Sequence, residues 1–173
     1  MSVAQKKPET SIVPPPDFNF GLATAQQAAG LTGLQFLQSI LTGEIPAPPV
    51  AKATQQWIHE IGEGWAVFLG NPTEQFLNPL GLVHGGWAMT LLDSVLGCAI
   101  QTTLNPGETF ATHSTDAKFI RPIFPQLEQV KAYAEVQSRG KNMATATGRI
   151  ESLEGKLLAT GTTSCFISRL SKV

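Results

Sequence analysis

Cysteine is scarce: two in 173 residues, Cys98 and Cys165, far apart and with no second Cys or His at ligand spacing. That spacing argues against a zinc site or a redox pair and reads as two buried free thiols. An excess of one charge is also missing. Twelve Lys and Arg stand against thirteen Asp and Glu, short of the basic excess that nucleic-acid proteins carry. No apolar run reaches the roughly 20 residues of a membrane span, because His84, Gly85, Gly86 and Asp93 interrupt the longest one. Lys6 and Lys7 are followed by no apolar segment before Pro14, Pro15 and Pro16, so no secretory signal is expected. A cytoplasmic protein whose partners are neither nucleic acid nor membrane is the default. There is no Gly-x-Ser-x-Gly elbow, and Cys98 sits among apolar residues without a neighbouring His, which counts against a serine or cysteine nucleophile.

What is present fits one globular domain with a proper core. Residues 1–110 hold three Lys and Arg against eight Asp and Glu, and residues 111–173 hold nine against five. The C-terminal part is locally basic, which leaves room for a small polyanionic ligand. Residues 1–19 lack periodic pattern and read as a mobile or loosely attached tail. Leu34, Leu37, Ile40 and Leu41 recur at helical spacing, and Gly43 with Pro46, Pro48 and Pro49 stops that helix and begins a linker. "TQQWIHEIG" and "GWAVFLG" read as two strands joined by a hairpin at Glu63 and Gly64. A helix is predicted from about Gly85 to Thr103. Four strands follow, "TFATHSTDAKFIRP", "EQVKAYAEVQSRG", "NMATATGRIESLEG" and "KLLATGTTSCFIS". Their breaks at Pro122 to Pro125, at Gly140 with Lys141 and at Glu154 with Gly155 suggest hairpins, hence a meander. The class is α+β, with the sheet covering the long helix.

That helix carries the informative chemistry. Trp87, Ala88, Met89, Leu91, Leu92, Val95, Leu96, Cys98, Ala99 and Ile100 surround most of its circumference, the mark of a buried helix. The exception is a stripe of small and polar residues, Gly86, Thr90, Asp93 and Gly97, on one face. An unpaired carboxylate in a dry core costs several kcal/mol. Asp93 is therefore either satisfied by a cap or a Lys, or it opens onto a site that uses it. Burial raises a carboxyl's pKa, which suits a general base. Gly85 and Gly86 mark the helix N-terminus, where free backbone N–H groups and the dipole favour negative charge and where glycine lets a ligand approach closely. Such donors stabilise a carbonyl oxygen that becomes an oxyanion. Asn78 and His84 stand just before them. Together these residues compose an acyl-transfer site, although Asn78 before Pro79 also suits a turn cap and His84 a loop-bonding residue.

Asn78, Gly81, His84, Gly85, Gly86 and Asp93, followed by "THSTDAKFIRP", resemble the motifs of the hotdog-fold acyl-CoA thioesterases, in particular the PaaI-like branch. The resemblance covers about residues 52–168. It implies an α+β hotdog fold, a helix wrapped by a curved antiparallel sheet, occupying residues 51–173 behind an N-terminal tail and helical extension over residues 1–50. It implies a homodimer or dimer of dimers with the active site at the subunit interface. Asp93 corresponds to the catalytic carboxylate, acting as general base on water or as nucleophile. The Gly85 amide polarises the thioester carbonyl, Asn78 positions the thioester or the water, His84 supports that loop, and Thr112 hydrogen-bonds the water across the interface. Relatives often carry an acidic residue two positions past that Thr, where this chain has Ser114. Acyl-CoA is the substrate, and neither metal nor cofactor is required, because a thioester is already activated. Arg139 and Lys141, beside a turn, are positioned for the phosphates of coenzyme A, or simply form a solvated turn. Trp87, Met89 and Phe119 are candidates for the acyl pocket. Two other hotdog activities compete with hydrolysis. A hydratase needs a His with an acidic partner, a spacing that His59 and His113 lack. A non-catalytic acyl-CoA sensor would signal to an attached module, and the first 50 residues contain only one predicted helix.

Overall fold

In this computed structural model, which describes residues 11–169, four helices and six strands run in the order α1 (Ala25–Ala28), α2 (Gly33–Leu41), α3 (Pro49–Thr54), β1 (Gln56–Gly62), β2 (Trp65–Gly70), α4 (Gly85–Gln101), β3 (Glu108–Phe119), β4 (Val130–Arg139), β5 (Met143–Ser152) and β6 (Leu157–Arg169). The strands form one antiparallel sheet ordered β1-β2-β4-β5-β6-β3, and α4 touches all six. This is the α+β hotdog arrangement, a central helix enclosed by a sheet that bends around it.

The helix begins where His84, in an extended conformation, caps it with its side chain. It ends at Thr102, whose hydroxyl donates to the Ala99 carbonyl at 2.6 Å and accepts the Gly64 amide at 2.8 Å. One side chain thus closes the helix and anchors the β1–β2 hairpin, which turns at Glu63 and Gly64 as its residues suggest. Leu91, Leu92, Val95, Leu96, Ala99 and Ile100 are completely buried against the strands. Burial of each large aliphatic side chain contributes about 1.5–3 kcal/mol. No described helix is long and apolar enough to cross a membrane.

The meander holds only for β4, β5 and β6. The segment from Pro122 to Pro125 is not a hairpin: β3 pairs with β6, and β4 lies beyond β5 and pairs with β2. Ile120 and Arg121 donate their amides to the Leu158 carbonyl as the chain leaves β3. The prolines then carry it across to the other side of the sheet, since neither can donate to a ladder there. As a result β1 and β3 are the two edges, and α4 is left uncovered between them.

The N-terminal segment fills that gap. Thr32 and Gln35 form a reciprocal capping box that starts α2, and Leu37 and Ile40 turn into the core. A Cβ at Gly33 would fall 1.7 Å from the Gln101 carbonyl oxygen, so glycine is what lets α2 approach the end of α4. The Gly33 amide donates to the Leu104 carbonyl at 2.9 Å. The expected Pro-rich linker contains a helix of its own, α3, with proline in its first turn, where the missing N–H costs nothing. Of the expected tail, residues 1–10 lie outside the described residues. The remainder is tied down: Val13 exchanges hydrogen bonds with the side chain of the buried Gln129 at 3.1 and 2.8 Å, and Phe20 pairs with Ala47.

Candidate active site

Asp93 lies on the face of α4 that the sheet leaves open and is half-buried. The Thr115 hydroxyl donates to its Oδ1 at 2.8 Å, and the Thr163 hydroxyl stands 3.1 Å behind Thr115. Oδ2 accepts no hydrogen bond among the described residues. One oxygen is therefore fixed while the other remains available to accept from a water molecule, the arrangement a general base requires.

Thr115 escapes a reading by alternation because β3 changes parity on the way to it. Thr112 pairs with Cys165 and Ser114 with Ser164, so His113 is an extra residue, a β-bulge. Before the bulge Phe110 and Thr112 face α4. After it Thr115 and Ala117 do. His113 is exposed, with its ring 4.6 Å from that of Phe166, and Ser114 bonds Ser164 at 2.8 Å. Thr112 shares a cavity wall with Asp93 and pairs across the sheet with Cys165. The hydroxyl that orients Asp93 within this chain belongs to Thr115.

The cavity is half-open to solvent and offers about 360 Å³. On the α4 side its wall is Asp93, Ser94, Gly97, Cys98 and Gln101; β1 and β3 contribute Gln56, Trp57, Ile58, Phe110 and Thr112. A Cβ at Gly97 would lie 3.2 Å from the Phe110 ring, so this glycine lets Phe110 pack closely against α4 at the cavity wall. Gln56 is buried, donates to the Trp87 carbonyl at 2.9 Å and leaves its Oε1 without a partner among the described residues. Trp87, Met89 and Phe119 are not in this wall. The Trp87 indole donates to the Thr54 carbonyl and stacks on Phe76, while Phe119 lies over Gly85.

At the start of α4, Asn78 Oδ1 accepts the amides of Leu80 at 2.9 Å and Leu82 at 3.1 Å and so holds the loop before the helix. His84 Nδ1 accepts the Gly86 amide at 2.9 Å. The neighbouring Gly85 amide has no acceptor among the described residues and is free for a ligand, whereas the Gly86 amide is already occupied. Gly85 and Asp93 are eight residues apart on one helix. At about 1.5 Å per residue that is about 12 Å, too far for both to reach one carbonyl group.

Arg139 is committed elsewhere, paired with Glu108 at 2.7 Å and bonded to the Gly140 carbonyl. This pair, with the Asn105 amide acting first, holds the Glu108 carboxyl below the usual range. Lys141 is exposed beside the β4–β5 turn. Burial, helped by the Asp93 charge, pushes the Cys98 thiol up to about 12, which makes it a poor nucleophile at neutral pH. Among the described residues no three His, Cys, Asp or Glu side chains gather as a metal site.

The helix, the enclosing sheet and the carboxylate define a hotdog protein. The family model of the thioesterase superfamily matches residues 80–159. A phenylacetic acid degradation-related protein of Ralstonia eutropha JMP134 is 30% identical, with a TM-score of 0.70 and coverage of 75% of this chain and 98% of that one. The TT0310 protein of Thermus thermophilus is 29% identical, with a TM-score of 0.62 over 70% and 97% of the two chains. The PaaI protein from the phenylacetic acid degradation operon of E. coli is 26% identical, with a TM-score of 0.61 over 68% and 87%. No curated protein matches. The chain belongs to the thioesterase superfamily and has PaaI-like relatives.

Proposed function

We propose that the protein is an acyl-CoA thioesterase that hydrolyses the thioester to a free acid and coenzyme A. The observation that carries this reading is Asp93, fixed by Thr115 on one oxygen, free on the other, and bordering an apolar cavity. Asp93 takes a proton from water as the water attacks the carbonyl carbon. The negative charge that develops on the carbonyl oxygen is met by the Gly85 amide, and collapse of the tetrahedral intermediate expels the thiolate, which takes up the proton. The separation of about 12 Å along α4 supports a reading in which Gly85 and Asp93 of one chain serve different sites. Each site combines Asp93 of one copy with Gly85 of another. The exposed edge of β3, twelve residues long, is suited to joining two copies, since an unpaired edge of that length otherwise invites uncontrolled association. Asn78 and His84 shape the loop that presents Gly85, and of Arg139 and Lys141 it is Lys141 that stands exposed for the coenzyme A phosphates.

Thiol release from a panel of acyl-CoA esters tests this reading. Wild-type protein is expected to release coenzyme A, and Asp93→Asn to lose about 10²- to 10⁴-fold in kcat, as removal of a general base does, with unchanged thermal unfolding. Turnover by Asp93→Asn at the wild-type rate would remove the carboxylate from the mechanism.

A further inference from the structure

We infer that the N-terminal segment, residues 18–54, is the wall that selects the acyl group, and that the group selected is apolar and larger than a single aromatic ring. The inference rests on the thioesterase reading and adds the substrate class to it. Facing Asp93 across the cavity are Phe36, Leu37 and Ile40 of α2. Phe18, Leu22, Ala47, Val50 and Ala51, from the loops and from α3, complete that side. None of these residues falls within the segment matched by the family model, which begins at residue 80.

Size sets the class. A cavity of about 150 Å³ lined by aliphatic and aromatic side chains accommodates benzene. This half-open cavity offers about 360 Å³, more than twice as much. A short acyl group would leave most of it empty and forgo the dispersion contacts its walls offer, whereas an acyl group of about eight to twelve carbons, linear or two-ringed, would fill it. Residues 18–54 contribute Phe, Leu, Ile, Val, Ala, Pro and Gly, with Thr54 the one polar side chain among them and no charged one, and the neutral Gln56, Ser94, Gln101 and Thr112 complete the wall, so a charged tail would be buried without a counter-ion.

The experiment measures kcat/KM on the full chain for acetyl-, butyryl-, benzoyl-, decanoyl- and naphthoyl-CoA, and calorimetric binding of decanoyl-CoA to Asp93→Asn. Two wall variants, Ala51→Phe and Val50→Trp, are assayed alongside. Ala51 is a half-buried and Val50 an exposed residue of α3, so at least one variant should fold, as circular dichroism will report. Decanoyl- or naphthoyl-CoA is expected to exceed acetyl-CoA by about tenfold or more in kcat/KM, in line with the value of pocket contacts. The wall variants should lose that advantage, with kcat/KM for decanoyl- and naphthoyl-CoA falling by a larger factor than that for acetyl-CoA. The relative rates of decanoyl- and naphthoyl-CoA separate linear from fused-ring acyl groups. Equal rates across the panel, or equal loss for short and long substrates in the variants, would overturn the inference and leave the thioesterase reading intact. Tight decanoyl-CoA binding that weakens in the wall variants, with no hydrolysis of any ester, would support the inference and sink the hydrolysis. Absence of both binding and turnover for every large acyl ester would overturn the inference.

Discussion

On the side of α4 that faces the sheet, Leu91, Leu92, Val95, Leu96, Ala99 and Ile100 are fully buried. On the side that faces the N-terminal segment, Asp93, Ser94, Gly97 and Cys98 border open space. The first side is filled like any protein interior. The second is left partly open beside small residues, with Phe110 packed onto Gly97, and the carboxylate stands at its margin. Stability and chemistry are thus separated by rotation about a single helix axis, and substitutions on the two sides should fail in different ways.

The sharpest way to break that contrast is on the packed side. Leu96→Ala removes a side chain with no accessible surface and should lower unfolding free energy by about 2–5 kcal/mol, measured by urea denaturation, with kcat changed little in the folded fraction. A loss of activity without a loss of stability would contradict the division. On the open side, Thr115→Val deletes the hydroxyl that holds Asp93 Oδ1 while keeping the side chain's shape. A hydrogen bond to a charged group contributes about 1.5–3 kcal/mol, so kcat should fall by about tenfold or more with KM little changed. Unaltered kcat would dismiss Thr115 as a positioning residue.

Much of this was legible in the residues. Apolar groups around most of one helix announced its burial, period-two patterns gave six strands, and Gly85, Gly86 and Asp93 stood out as polar or small positions where packing alone would have placed Leu or Val. Three things were hidden. The bulge at His113 shifts alternation by one, so a reading by parity and motif reaches Thr112 and passes over Thr115. The prolines after β3 resemble a hairpin turn, yet their role is to carry the chain across the sheet, and strand order depends on contacts far apart in sequence. The N-terminal segment reads as a tail, one helix and a linker, and its place as a cavity wall is hidden because its cavity-facing residues come from separate pieces, 18–23, 36–40 and 46–54. No local period joins them. The aromatic residues nearest the motif, Trp87 and Phe119, were natural candidates for the pocket, but the structure uses them to pack the loop and the helix start.

In the proposed mechanism each site takes Asp93 from one copy and Gly85 from another, and subunit mixing tests that pairing directly. Gly85→Pro removes the amide donor at the first position of α4, where proline is tolerated, and His84 already has the extended backbone that a following proline needs. Asp93→Asn removes the carboxylate. Each variant alone should be inactive. Unfolded together and refolded as a mixture, they form hybrids in which one of two sites has both groups intact, so activity should return to about a quarter of wild type. A mixture as inactive as its components, with hybrid formation verified by native mass spectrometry, would contradict the two-copy site.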